Sequence, residues 1–162
     1  MKDDMKKHNS LLLAVWISVA ALTGCKHVDD PFVDRVAAPV LVLVEGAPDG
    51  GGLTAEPVVS QKIGTPVTVS VRIFDLDKSG LLNHAVGIDS IPVTALTVKL
   101  AKRDGTALAD LTTDGSGRVS LTKTWAELGI ATPVRGSSVA LTWSGSYKGQ
   151  AFSRLSRVQG VD

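Results

Sequence analysis

The stretch PVTVSVRIF, residues 66–74, places Val67, Val69, Val71 and Ile73 on one parity and Thr68, Ser70 and Arg72 on the other. Side chains of an extended chain point alternately to opposite faces, whereas a helix returns to one face every 3.6 residues, so this spacing predicts a strand with one face buried. The same period recurs in Leu96, Val98 and Leu100, in Val119 and Leu121, and in Val139, Leu141 and Trp143, with Ala140 and Thr142 opposed. Further strands are expected at residues 40–44, 57–60, 107–113 and 151–158. Between them lie chain breakers: Gly50-Gly51-Gly52, Gly64-Thr65-Pro66, Arg103-Asp104-Gly105, Asp114-Gly115-Ser116-Gly117 and Lys148-Gly149. Asp104-Gly105 has the chemistry of a tight hairpin turn.

Only TWAELG, residues 124–129, reads as helical, with Thr124 as N-cap, Glu127 three positions on and Gly129 as terminator. Seven to eight short strands, regular turns and one short helical turn predict an all-β chain. A β-sandwich with Greek-key connections is the leading architecture and a small barrel the alternative.

The amino-terminal residues follow a different logic. Lys2, Lys6 and Lys7 precede LLLAVWISVAAL, residues 11–22, an uncharged core of signal-peptide length. Twelve residues span roughly 18 Å as a helix, short of the ~30 Å hydrocarbon layer, which argues against a permanent span. The segment ends in Leu22-Thr23-Gly24-Cys25, which contains the single cysteine of the chain. This run resembles the lipobox of bacterial lipoproteins. The resemblance implies cleavage before Cys25, diacylglyceryl transfer to its sulfur and acylation of the new amino terminus, each buried CH₂ contributing about 0.8 kcal/mol. Residues 1–24 are then the signal peptide, and residues 25–38 a lipidated cysteine and tether, KHVDDPFVDRVAA being short, charged and interrupted by proline.

A lone thiol in an exported chain has no intramolecular partner, and lipidation accounts for it. Lys26, standing where aspartate holds many lipoproteins at the inner membrane, points to the outer membrane. Asp29-Asp30 resembles the acidic export signal of lipoproteins of the Bacteroidota type, which implies surface display.

Residues 39–162 remain for a single domain. The segment VTALTVKLAKRDGTALADLTTDGSGRVSLT, residues 93–122, resembles the centre of the bacterial Ig-like domains of adhesins and cell-surface lipoproteins, with Thr113-Asp114-Gly115-Ser116-Gly117 as the corner. The fold implied is an Ig-like β-sandwich. Such sandwiches serve as spacers, adhesins, glycan binders and assembly parts, so the resemblance bears on architecture more than on activity.

Removing Lys2, Lys6, Lys7, Asp3 and Asp4 with the signal leaves equal numbers of basic and acidic residues. That neutrality, with few aromatic residues, argues against a nucleic-acid partner. The stretch nearest to site chemistry is FDLDKSGLLNHAVGIDS, residues 74–90. Asp75, Asp77, Ser79 and Asn83 fall at alternating positions resembling the opening of a calcium loop, with Gly80 for the turn. Val86 occupies the place of the bidentate glutamate that completes such a shell, so a polar connection with turn-capping aspartates is preferred and calcium is the alternative.

His84 is the one histidine of the domain, too few donors for zinc, and it has no recognisable partner for nucleophilic catalysis. Asp75, Asp77, Asp89 and Glu127 carry no spacing that singles out a glycosidase pair. Trp143 is in phase with the core, whereas Trp125 and Tyr147 are expected to be exposed. The resulting expectation is a lipid-anchored envelope lipoprotein whose Ig-like module is non-enzymatic, binding an envelope protein or glycan or acting structurally. A calcium-dependent or glycan-binding adhesin domain is the alternative, and an envelope hydrolase the more distant one.

Overall fold

The computed structural model describes residues 38–162. The expected signal peptide, the lipobox-like run with Cys25 and the expected tether up to residue 37 lie outside them. Within the described residues the chain is a β-sandwich of nine strands: β1 (Leu41–Val44), β2 (Val58–Lys62), β3 (Val67–Asp77), β4 (Asp89–Pro92), β5 (Thr97–Lys102), β6 (Ala107–Thr112), β7 (Arg118–Lys123), β8 (Ser138–Tyr147) and β9 (Gln150–Val161). One sheet is built on β3, which pairs with β1 at residues 71–74, with β7 at residues 67–72 and with β4 at residues 74–77. The other runs β2-β9-β8-β5-β6 and is antiparallel except for β2 beside β9. The chain passes from layer to layer between β1 and β2, β2 and β3, β4 and β5, β6 and β7, and β7 and β8. The two sheets do not close into a barrel.

The period-two rows account for the core. Val67, Val69, Val71 and Ile73 of β3 are buried, with Val119 across β7 and Val98, Leu100, Val139, Leu141 and Trp143 from the facing sheet. Valine dominates because its branched Cβ suits a pleated surface, and each fully buried aliphatic side chain contributes about 1.5–3 kcal/mol. Trp143 is fully enclosed, as its phase predicts, and its indole Nε1 donates to Ser156 Oγ at 2.9 Å, so the buried polar atom of each is satisfied.

The outer face of β3 is less simple than alternation suggests. Arg72 and Arg118 sit directly opposite one another, a like-charge pairing that destabilises a sheet. Glu45, just after β1, lies between them at 2.9 Å from Arg72 Nε and 2.6 Å from Arg118 Nε, and accepts from Ser70 Oγ at 2.6 Å. Ser70 is buried under this network. Burial would raise the Glu45 carboxyl, but the Ser70 hydroxyl and the Arg118 guanidinium outweigh it and hold the pKa below its ordinary value.

Several sequence expectations change. β4 shows no alternation and was not foreseen; it is a short, fully exposed edge ending in proline, which an edge tolerates. β3 continues through Asp75 and Asp77, which were expected in a loop. TWAELG forms the single turn expected of it, with Leu128 N–H donating to the Thr124 carbonyl at 3.1 Å. Thr124 and Glu127 form a capping box, with Thr124 N–H donating to Glu127 Oε2 at 2.8 Å and Glu127 N–H to Thr124 Oγ1 at 3.2 Å, and Gly129 at φ +98° ends it after one turn. A further helical element, absent from the sequence expectation, is a 3-10 turn at Pro48–Gly51. Trp125, expected at the surface, is 4% exposed, and its Nε1 donates to the Lys62 carbonyl at 3.2 Å. The Asp104-Gly105 hairpin forms with one residue more than the tightest turn: Gly105 N–H donates to Lys102 O and Lys102 N–H to Thr106 O.

Candidate functional site

The ends of the sandwich differ, and the end where β3 finishes collects the unusual residues. Leu41 pairs with Phe74, so β3 runs three residues beyond the start of β1, and Asp77 lies level with the chain as it arrives at Ala38. Ala38–Leu41, Asp75, Leu76 and Lys78 line one shallow depression there. Asp75 and Asp77 continue the inward parity of Val71 and Ile73, so the inner row of β3 turns from apolar to acidic as it leaves the core. Tyr147 does the same on β8, continuing the row of Val139, Leu141 and Trp143.

These rows meet. Tyr147 Oη donates to Asp75 Oδ2 at 3.1 Å, and Lys148 Nζ, from the β8–β9 turn, donates to the same oxygen at 2.6 Å. The ammonium also stands 5.1 Å from the centre of the Tyr147 ring. Lys148 first, then Tyr147, hold the Asp75 carboxyl below its usual range despite partial desolvation. A polar bridge between the two sheets thus closes this mouth of the core. Tyr147 is half-buried in it, with its hydroxyl committed to Asp75.

The four residues of the calcium alternative are placed as follows. Asp75 is engaged by Tyr147 and Lys148. Asp77 Oδ1 accepts the Ser79 N–H at 2.8 Å, an Asx turn leaving the strand, and the bonds from Ser79 lower its pKa. Asn83 Oδ1 accepts from Ala85 N–H at 3.1 Å. Asp89 lies on β4 opposite Asp77, with Oδ1 accepting its neighbour Ser90 N–H. Among the described residues no group of three or more His, Cys, Asp or Glu is placed to hold a metal ion. His84 is exposed in the same loop.

What sequence reasoning missed is the apolar character of this loop. Leu81, Leu82 and Val86 are 58%, 101% and 65% exposed, and Ile88 and Ile91 stand out beside them. The loop is nevertheless ordered by its own backbone: Leu81 N–H donates to Lys78 O, Asn83 N–H to Gly80 O, and Val86 and Gly87 N–H both to Asn83 O. Gly80 is buried at its base, where a Cβ would overlap Val86 and the Gly87 carbonyl, so only glycine lets the two limbs of the loop close on each other. The available signal was the pair Leu81-Leu82 inside a run of turn-forming residues. Period analysis discards such a pair because it matches neither repeat.

No protein-family model matches the chain, and no curated protein matches it. Fold and site rest on the residues themselves.

Proposed function

We propose that the chain is an exported bacterial lipoprotein, anchored to the outer membrane through acyl groups on Cys25, whose β-sandwich is a non-enzymatic binding or structural module. The lipobox-like run Leu22-Thr23-Gly24-Cys25 behind a basic, apolar leader supports the anchor. The observation that carries the binding module is the β3–β4 loop, which holds Leu81, Leu82 and Val86 in solvent on a hydrogen-bonded frame. Large apolar side chains clustered at the surface cost solubility and mark a contact surface, whereas the carboxylates beside them are committed to turns and to an inter-sheet bridge.

The test of the anchor is Cys25→Ser, which removes the sulfur to which lipid is transferred. The variant is expected to lose incorporation of labelled palmitate and to move from the detergent phase to the aqueous phase on phase separation. Partition into detergent undiminished by the substitution rejects the reading.

A further inference from the structure

The β3–β4 loop lies at the end of the sandwich to which the tether is joined, since Ala38–Leu41 share one depression with Asp75, Leu76 and Lys78, and Lys78 opens the loop. Ala38 follows Cys25 by 13 positions. Thirteen residues reach at most about 45 Å, so an anchored Cys25 keeps this end of the domain within that distance of the bilayer.

We propose that the β3–β4 loop is a membrane-docking element, its Leu81, Leu82 and Val86 entering the interfacial layer of the bilayer that holds Cys25 and standing the sandwich upright on that surface. The inference rests on the lipid anchor proposed above. Three features favour a lipid surface over a protein partner. The loop opens at Lys78, which borders Ala38 where the described chain begins, so anchoring brings this end of the domain towards the membrane. The loop pairs its backbone groups internally through the bonds of Lys78, Gly80 and Asn83, which lowers the cost of leaving water. Three or four aliphatic side chains are too few to bind a membrane stably from solution, but a short tether supplies an effective concentration in the millimolar range, at which weak partitioning suffices. Lys78 is outnumbered by Asp77 and Asp89 around the loop, so docking is driven by apolar burial and not by attraction to anionic headgroups.

The experiment compares Leu82→Trp with Val134→Trp in the full lipidated protein, reconstituted in phosphatidylcholine vesicles with brominated acyl chains. Val134 is 61% exposed in the β7–β8 connection, at the opposite end of the sandwich, where Gly136 donates to and Ser137 accepts from the backbone of Gly160 near the end of β9. Trp125 and Trp143 are buried and form a constant background. Emission added by Leu82→Trp is expected to shift to the blue and to be lost to brominated chains, and that of Val134→Trp to stay unshifted and be quenched by aqueous iodide instead. Equal iodide quenching of both variants in vesicle-bound protein overturns the docking proposal and leaves the anchor intact. Protection of Leu82→Trp from both quenchers overturns it in favour of a protein segment covering the loop. If neither variant floats with the vesicles, the anchor fails and the docking proposal falls with it.

Discussion

Two connections leave the β3 sheet at opposite ends of the sandwich and treat their large apolar side chains in opposite ways. Residues 124–137, after β7, fold Trp125 and Leu128 into the core and leave Val134 alone of their large apolar side chains exposed. Residues 78–88, after β3, hold Leu81, Leu82 and Val86 in water. Local chemistry does not separate them, since each opens on a side-chain cap: Thr124 with Glu127 in one, Asp77 with Ser79 in the other. The difference lies in the mouth of the core that each loop meets. At the β7 end the Lys62 carbonyl and the turn through Gly64-Thr65-Pro66 border a space that an indole fills, with its N–H satisfied. At the β3 end the inner rows have already turned polar, and Asp75, Tyr147 and Lys148 bridge the sheets. An apolar loop finds no apolar seat there.

That contrast can be broken by substitution. Trp125→Ala is expected to cost about 3–5 kcal/mol, as truncation of a buried aromatic does, and to lower the urea midpoint accordingly. A loss below about 1 kcal/mol would mean that the far end is not sealed by the indole. Next in size is Gly117→Ala. Gly117 sits at φ +73°, with its Cβ position 2.5 Å from the Ile73 carbonyl, where β7 and β4 meet along β3. Backbone strain and the clash together are expected to cost about 1–3 kcal/mol by thermal or chemical unfolding. Leu82→Ala, by contrast, should leave stability within about 0.5 kcal/mol, because a fully exposed side chain has nothing to lose; a larger drop would show that the loop is packed in solution.

Two further measurements sharpen the comparison. Calcium is expected to leave the melting temperature unchanged, since Asp75, Asp77 and Asn83 already accept bonds from within the protein. A calcium-dependent rise, growing as RT ln(1 + [L]/Kd) and lost in Asp77→Ala, would instead make the β3 end a cation site. The smallest effect is at the other end. Thr124 N–H first, then Lys123 and the Thr124 hydroxyl, lower the Glu127 pKa to about 2 from an ordinary 4.5. A depressed carboxylate stabilises the fold above its unfolded pKa and loses that contribution as pH falls through the folded one, so the Glu127 share is complete above about pH 4.5 and fades towards pH 2. Carboxyl titration by NMR should place Glu127 at the low end of that window, and Glu127→Gln should flatten this part of the acid unfolding curve.

Much of the fold was legible in residue order. Every strand with a clean period of two appears where its valines and leucines predict, because a chain that must bury one face of a sheet leaves that mark on every second residue. The corner at Thr113–Gly117 was legible for the same local reason: Asp114 Oδ1 gathers the N–H groups of Ser116 and Arg118, and Gly117 takes the positive φ. The capping box at Thr124 also needs only near neighbours. β4 was not legible, because Asp89–Pro92 is a strand only through its pairing with the overlong end of β3, and nothing in DSIP requires that partner.

The sequence by itself determined what depends on neighbours within a few residues: the alternation that makes strands, the turn chemistry that ends them and the lipobox-like run before Cys25. Only the tertiary structure decided which apolar residues outside the strands are buried. Trp125 and Leu82 both stand in loops of turn-forming residues, and one is enclosed while the other is bare because burial requires a vacant apolar space supplied by distant segments. For Trp125 that space is bounded by the β2–β3 connection around Lys62; at Leu82 the corresponding mouth is spanned by Asp75 and Tyr147, residues 72 positions apart.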